Sequence, residues 1–160
     1  MNCPFRAIFW GGLWCGVLDI MSAIVAWRIY AGVGAVRIFQ SVAGGWLGRP
    51  AAIQGGWKTA VLGFCSHFLI AFTAATVYYL ASRKLNFLRE NAVISGLIYG
   101  ELVFLFMNMV VLPLSALHTQ PLAWTAFSPW PTLATGPIGH PFFVGLPIAL
   151  ATRKYGAGNR

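Results

Sequence analysis

Negative charge is almost missing from this chain. Asp and Glu together number 3 in 160 residues, and charged residues of both signs make up only 9%. An ordinary soluble domain carries roughly 25%. A short soluble domain also leaves roughly a third of its chain surface in water, which a chain that is 58% hydrophobic cannot do at tolerable cost. The shortage of charge therefore argues against a soluble globule and leaves lipid as the solvent. Cysteine is scarce too. Cys3, Cys15 and Cys65 form no CxxC or zinc spacing, so neither a disulfide framework nor a zinc module is expected. Cys15 and Cys65 fall inside apolar runs, where a thiol behaves as a small hydrophobe, and Cys3 comes too early to follow the apolar stretch of a lipoprotein signal. No HExxH, phosphate loop or nucleophile constellation is present, so no enzyme class is indicated.

What the chain has is apolar length. Mean hydropathy is +0.71, aromatics reach 15% and glycines number 18. Glycine permits close packing of membrane helices, and Trp and Tyr anchor their ends. The expected fold class is all-α integral membrane, a single domain of about four transmembrane helices over about 7–27, 59–81, 92–112 and 136–152, since about 20 apolar residues cross the hydrocarbon core. The first run is too long for a signal peptide, is interrupted by Asp19 and lacks a small-x-small cleavage site, so it is read as a retained helix. The fourth carries Pro137, Pro141 and Pro147, which predicts a kinked span.

Two connections stand out. Around residues 33–48, Arg37 and Gln40 alternate with Val33, Ile38, Phe39, Val42, Trp46 and Leu47, the pattern of an interfacial or re-entrant helix. Leu114 to Thr135 is apolar and proline-rich, with Trp124 and Trp130, and is expected against the outer membrane face. Gly-Gly-Leu-Trp at Gly11 and Gly-Gly-Trp at Gly55 match for only a few residues, too few to define a repeat.

Basic residues dominate the charge, 11 Lys and Arg for a net +8. They are spread over short loops and ends without a basic face, so they read as topology signals and anionic-lipid contacts, not a nucleic-acid site. Four spans put Arg6, Arg83, Lys84, Arg89, Arg153, Lys154 and Arg160 on one side and Arg28, Arg37, Arg49 and Lys58 on the other. That imbalance predicts cytoplasmic termini.

Ionisable residues inside a membrane are costly and are candidates for function. Asp19, His67, Glu101 and His140 fall inside the four runs. At 1.5 Å per residue, Asp19 sits about 3 Å outward of its helix centre, His67 about 4–5 Å outward, and Glu101 within about 2 Å of the midplane. Asp19 lies on a small-residue stripe with Gly12, Gly16, Ala23 and Ala26, and His67 on one with Gly63, Ala71, Ala74 and Tyr78. Glu101 shares a face with Leu97, Phe104 and Asn108. Two readings stand for each: a proton or ion cluster of Asp19, His67, Glu101, Asn108 and His140, or interhelical glue, with Asp19 paired to Arg28 or Arg37. Arg37 and Gln40 are candidates for an anion contact or gate. His118 lies in a loop. No cofactor is predicted, although His67 and His140 admit a transition metal such as zinc or iron. Gly12-x-x-x-Gly16, Gly44-x-x-x-Gly48 and Gly96-x-x-x-Gly100 permit close crossing within the chain or in a homo-oligomer or larger membrane complex.

From His67 onward the chain resembles the YagU-like family of uncharacterised bacterial inner-membrane proteins. The resemblance rests on Ser66-His67-Phe68-Leu69-Ile70-Ala71-Phe72 with Tyr78-Tyr79, Ser95-Gly96-Leu97, Val111-Leu112-Pro113-Leu114, and Ile138-Gly139-His140 before Arg153-Lys154. It implies a bacterial inner-membrane location, no settled activity, and attention to His67 and His140. Where that family tends to place a further histidine, this chain has Asn108. The resulting expectation is a small transport or permeation component moving a proton, ion or small polar solute. The alternatives are an accessory or scaffold subunit, or one acting in envelope stress, and a metal- or haem-binding membrane protein.

Overall fold

The computed structural model describes residues 4–156, so Cys3 and Arg160 lie outside the described residues. Among the described residues all regular structure is helical. Three helices are long and apolar enough to cross a membrane: Pro4–Ala31, Gly56–Lys84 and Ala92–Leu114. They begin and end further out than the apolar runs suggest, because helices continue past the hydrocarbon core into the interface, where Arg28, Lys58, Arg83 and Lys84 are tolerated. The start at Ala92 agrees with expectation; Asn91 and the short helix before it interrupt the ladder there.

Helix α1 (Pro4–Ala31) is followed by α2 (Ala35–Leu47) and a short return helix α3 (Arg49–Gln54). Helix α4 (Gly56–Lys84) leads through α5 (Phe87–Glu90) to α6 (Ala92–Phe106). Helix α6 continues through a π turn, Met107–Val111, into α7 (Leu112–Leu114). After a loop carrying α8 (Trp130–Thr135), a second π turn at Pro141–Gly145 opens into α9 (Leu146–Gly156). Both π turns lie just before a proline inside the helix, Pro113 and Pro147. A proline ring removes an N–H and crowds the carbonyl four residues back, and a wider turn accommodates it.

Helices α1 and α4 run antiparallel, Gly12 against the Phe72 ring and Gly16 against Phe68. On another side of α1, Gly11 lies by Ile148 and Ala151 of α9, again antiparallel. Gly96 and Gly100 of α6 admit the backbone of Gly145, His140 and Pro141. The glycine motifs of α1 and α6 are thus occupied within the chain. Cys15, Ala71, Ala75, Tyr78, Val144 and Ile148 form the core between α1, α4 and α9. Cys15, Ala71 and Ala75 let the helices approach closely, and Tyr78 and Ile148 fill the space between them. Leu69, Ile98, Leu102 and Phe106 point outward and are each more than half exposed, which suits contact with acyl chains.

The segment expected to form an amphipathic helix around 33–48 is α2. Its contacts with α4 advance in the same order along both helices: Gln40 reaches the carbonyl of Gly56, the backbone of Phe39 and Ala43 lies against Gly63, and Trp46 reaches Ser66. Helix α3 then folds back, so that Gln40 also reaches the carbonyl of Ile53. The two make a helical hairpin hinged on Gly48, at φ 75 and ψ 158.

Candidate functional site

His67 projects from α4 toward α1. Its Nε2 lies 2.8 Å from the carbonyl oxygen of Gly16. A carbonyl only accepts, so Nε2 carries the proton and Nδ1 holds the lone pair in the neutral ring. The bond ties α1 to α4 where Gly16, lacking a side chain, leaves its carbonyl within reach. Asp19 sits one turn further along α1 and is half-buried. Arg28, a proposed partner, donates instead to the Gly32 carbonyl at 3.0 Å, and Arg37 is exposed.

His140 turns into its own segment. Its Nδ1 donates to the carbonyl of Thr135 at 2.9 Å and reaches that of Gly136 at 3.1 Å, and its ring meets Phe104 edge-on at 5.6 Å. The imidazole thereby satisfies the Thr135 carbonyl at the end of α8, while the Gly136 carbonyl also accepts the backbone N–H of His140 at 2.8 Å. Asn108 donates to the Phe104 carbonyl of its own helix at 2.9 Å, and Glu101 is half-buried. Gln40, buried at 6% exposure, donates to Ile53 and Gly56 at 3.3 and 3.0 Å. It closes the hairpin onto the start of α4, so its side chain is engaged in holding this corner.

Depth follows from the helix registers. His67 is level with Gly16. The antiparallel match of Gly11 to Ile148 and Ala151 puts Asp19 near the depth of the π turn at Pro141–Gly145, and Gly100 lies against His140 and Pro141. Asp19, His67, Glu101 and His140 therefore occupy one slab of the bundle. Within it, the two histidines bond to backbone carbonyls. Among the described residues no three His, Cys, Asp or Glu side chains gather where a metal ion could be held.

Two grooves open on the surface. One of about 500 Å³ runs between α1 and α9, and one of about 230 Å³ lies between α4, α5 and α6. Neither is lined by Asp19, His67, Glu101 or His140. Sequence reasoning did not find three aromatic side chains' hydrogen-bond partners, which join separate elements. Tyr78, 1% exposed, donates to the Leu88 carbonyl at 2.8 Å, Tyr99 to that of Ala74 at 2.8 Å, and Trp46 to Ser66 at 3.0 Å. A tyrosine inside an apolar run was the available signal, because a buried hydroxyl must find an acceptor.

No protein-family model matches this chain, and no curated protein or solved structure matches it either.

Proposed function

We propose that this chain is a small accessory or scaffold subunit of a bacterial inner membrane, with cytoplasmic termini, whose intramembrane polar residues hold its helices together. One observation supports it most: His67, Asn108, His140 and Gln40 each spend a donor on a backbone carbonyl of this same chain. A relay or permeation path needs such groups turned toward one another or toward a shared wet cavity. In this reading the helical stretch after Gly139 is a fourth, proline-bent crossing, and the α2–α3 hairpin re-enters the bilayer beside α4. The YagU-like resemblance, carried by His67 and His140, fits a membrane location without naming an activity.

The test is reconstitution of the purified chain in liposomes loaded with a pH-sensitive dye, beside chemical cross-linking in native membranes. The scaffold reading expects proton flux equal to protein-free liposomes and a cross-linked complex of fixed stoichiometry. Flux abolished by Asp19→Asn with the fold intact would overturn it.

A second reading, a proton or ion transport component, is favoured by the common depth of Asp19, His67, Glu101 and His140, and by the free second nitrogen of each histidine. It expects a pH-dependent flux that His67→Ala removes while leaving the folded protein intact.

A further inference from the structure

From the groove between α1 and α9 we infer that the chain carries a built-in binding site for one anionic phospholipid, at the end of the bundle that bears Pro4 and Gly156. The groove is open on its outer side and offers about 500 Å³ between Trp10, Trp14 and Leu18 on one wall and Leu146, Leu150 and Lys154 on the other. It extends from Lys154 and Tyr155 to Phe142 and Leu18, about 18 Å along the helix at 1.5 Å per residue. The hydrocarbon core is about 30 Å thick, so the groove has the reach of one leaflet and not of the whole membrane. Its wall is apolar along this length and cationic at one end only.

That end fits a phosphate. The Arg6 guanidinium and the Lys154 ammonium both sit over the Tyr155 ring, each 5.3 Å from its centroid. The Tyr155 ring at the mouth of the groove thus brings Lys154 of α9 and Arg6 of α1 close to each other. Acidic residues number only 3 in the chain: Asp19 is about 14 Å along α1 from Trp10, and Glu90 is at this end of the bundle but on α5, beside Arg89 and outside the groove's lining. The single negative charge of an anionic headgroup would be attracted by both cations beside Tyr155, while its acyl chain fills the apolar part. Basic pockets between membrane helices recognise anionic headgroups in this way. A zwitterionic lipid would satisfy the groove but not the charge.

Tryptophan quenching in vesicles tests the site, with Trp10 and Trp14 as reporters. The full chain is reconstituted in phosphatidylcholine vesicles in which a fraction of either phosphatidylcholine or phosphatidylglycerol carries brominated acyl chains. The fluorescence component lost in Trp10→Phe/Trp14→Phe isolates the groove. Brominated phosphatidylglycerol should quench it with higher apparent affinity than brominated phosphatidylcholine, and the preference should fall about fivefold for each cation lost in Arg6→Gln and Lys154→Gln. Arg83→Gln/Lys84→Gln removes two exposed cations at the end of α4, away from the groove, and should leave the preference unchanged. Equal quenching by the two lipids in the unaltered chain would overturn the site. So would an equal loss of preference in the α4 variant, which would show a diffuse surface potential instead.

Discussion

His67 shows how one intramembrane polar residue can be worth a helix contact. Its N–H meets the Gly16 carbonyl at 2.8 Å, and interhelical hydrogen bonds in membranes contribute about 0.6–2 kcal/mol. His67→Ala should lower stability by about that amount in detergent unfolding, while His67→Gln, which keeps a donor, should recover part of it. Gln40 serves two carbonyls at once, so Gln40→Leu should cost about 1–3 kcal/mol, two hydrogen bonds at about 0.5–1.5 kcal/mol each. Hydrogen exchange at Ile53 to Gly56 would read the loss locally. The small-residue stripes around Asp19 and His67 were legible in the sequence, since Gly, Ala and Ser recurring at helical spacing mark helix contacts. The acceptor was not legible. Periodicity says which face a residue occupies, whereas the partner carbonyl is set by the register between two helices.

At the scale of elements, the hairpin depends on Gly48. Its backbone, at φ 75 and ψ 158, lies in a region essentially restricted to glycine, where another residue costs about 1–3 kcal/mol. Gly48→Ala should therefore loosen α3 from α2, visible as faster exchange over 49–54 with α1 and α4 unaffected. Gly63 matters for a different reason. A Cβ there would collide with the Phe39 carbonyl, so Gly63→Ala should push α2 off α4 and lengthen the Trp46 to Ser66 bond, detectable as a shift in Trp46 emission. Helix α2 was foreseeable from its alternation of polar and apolar residues, and Pro113 and Pro147 signalled disturbed helices. That the disturbance takes the form of π turns was not foreseeable, because a proline permits a kink, a break or a widened turn, and the neighbouring helix selects among them.

At the scale of the molecule, helix order brings Arg6, Tyr155 and Lys154 together and joins Arg89 to the Gly156 carbonyl. The basic residues after α4 thus share an end with Pro4 and Gly156. If that end is cytoplasmic, single cysteines at Arg83 and Lys154 should react with an impermeant maleimide only in inverted vesicles, and one at Arg37 only in right-side-out ones. Matching reactivity for Lys154 and Arg37 would reverse the proposed topology. Cys65 is exposed and Cys15 buried, and the chain also has Cys3, so all three positions should be introduced on a Cys3→Ser/Cys65→Ser background.

The sequence by itself determined the class of this protein. Apolar runs of membrane length and a near absence of acidic residues leave a helical bundle in lipid as the economical solution, and they mark where its helices lie and which faces meet. Only the tertiary structure decided what the polar residues touch. The candidate cluster shares a depth because antiparallel helices align it, yet its histidines turn to backbone carbonyls, His67 to that of Gly16 and His140 to that of Thr135. The cationic mouth of the α1–α9 groove joins residues from opposite ends of the chain. Both depend on register and rotation between helices, which are set by interlocking side chains and not by any local pattern.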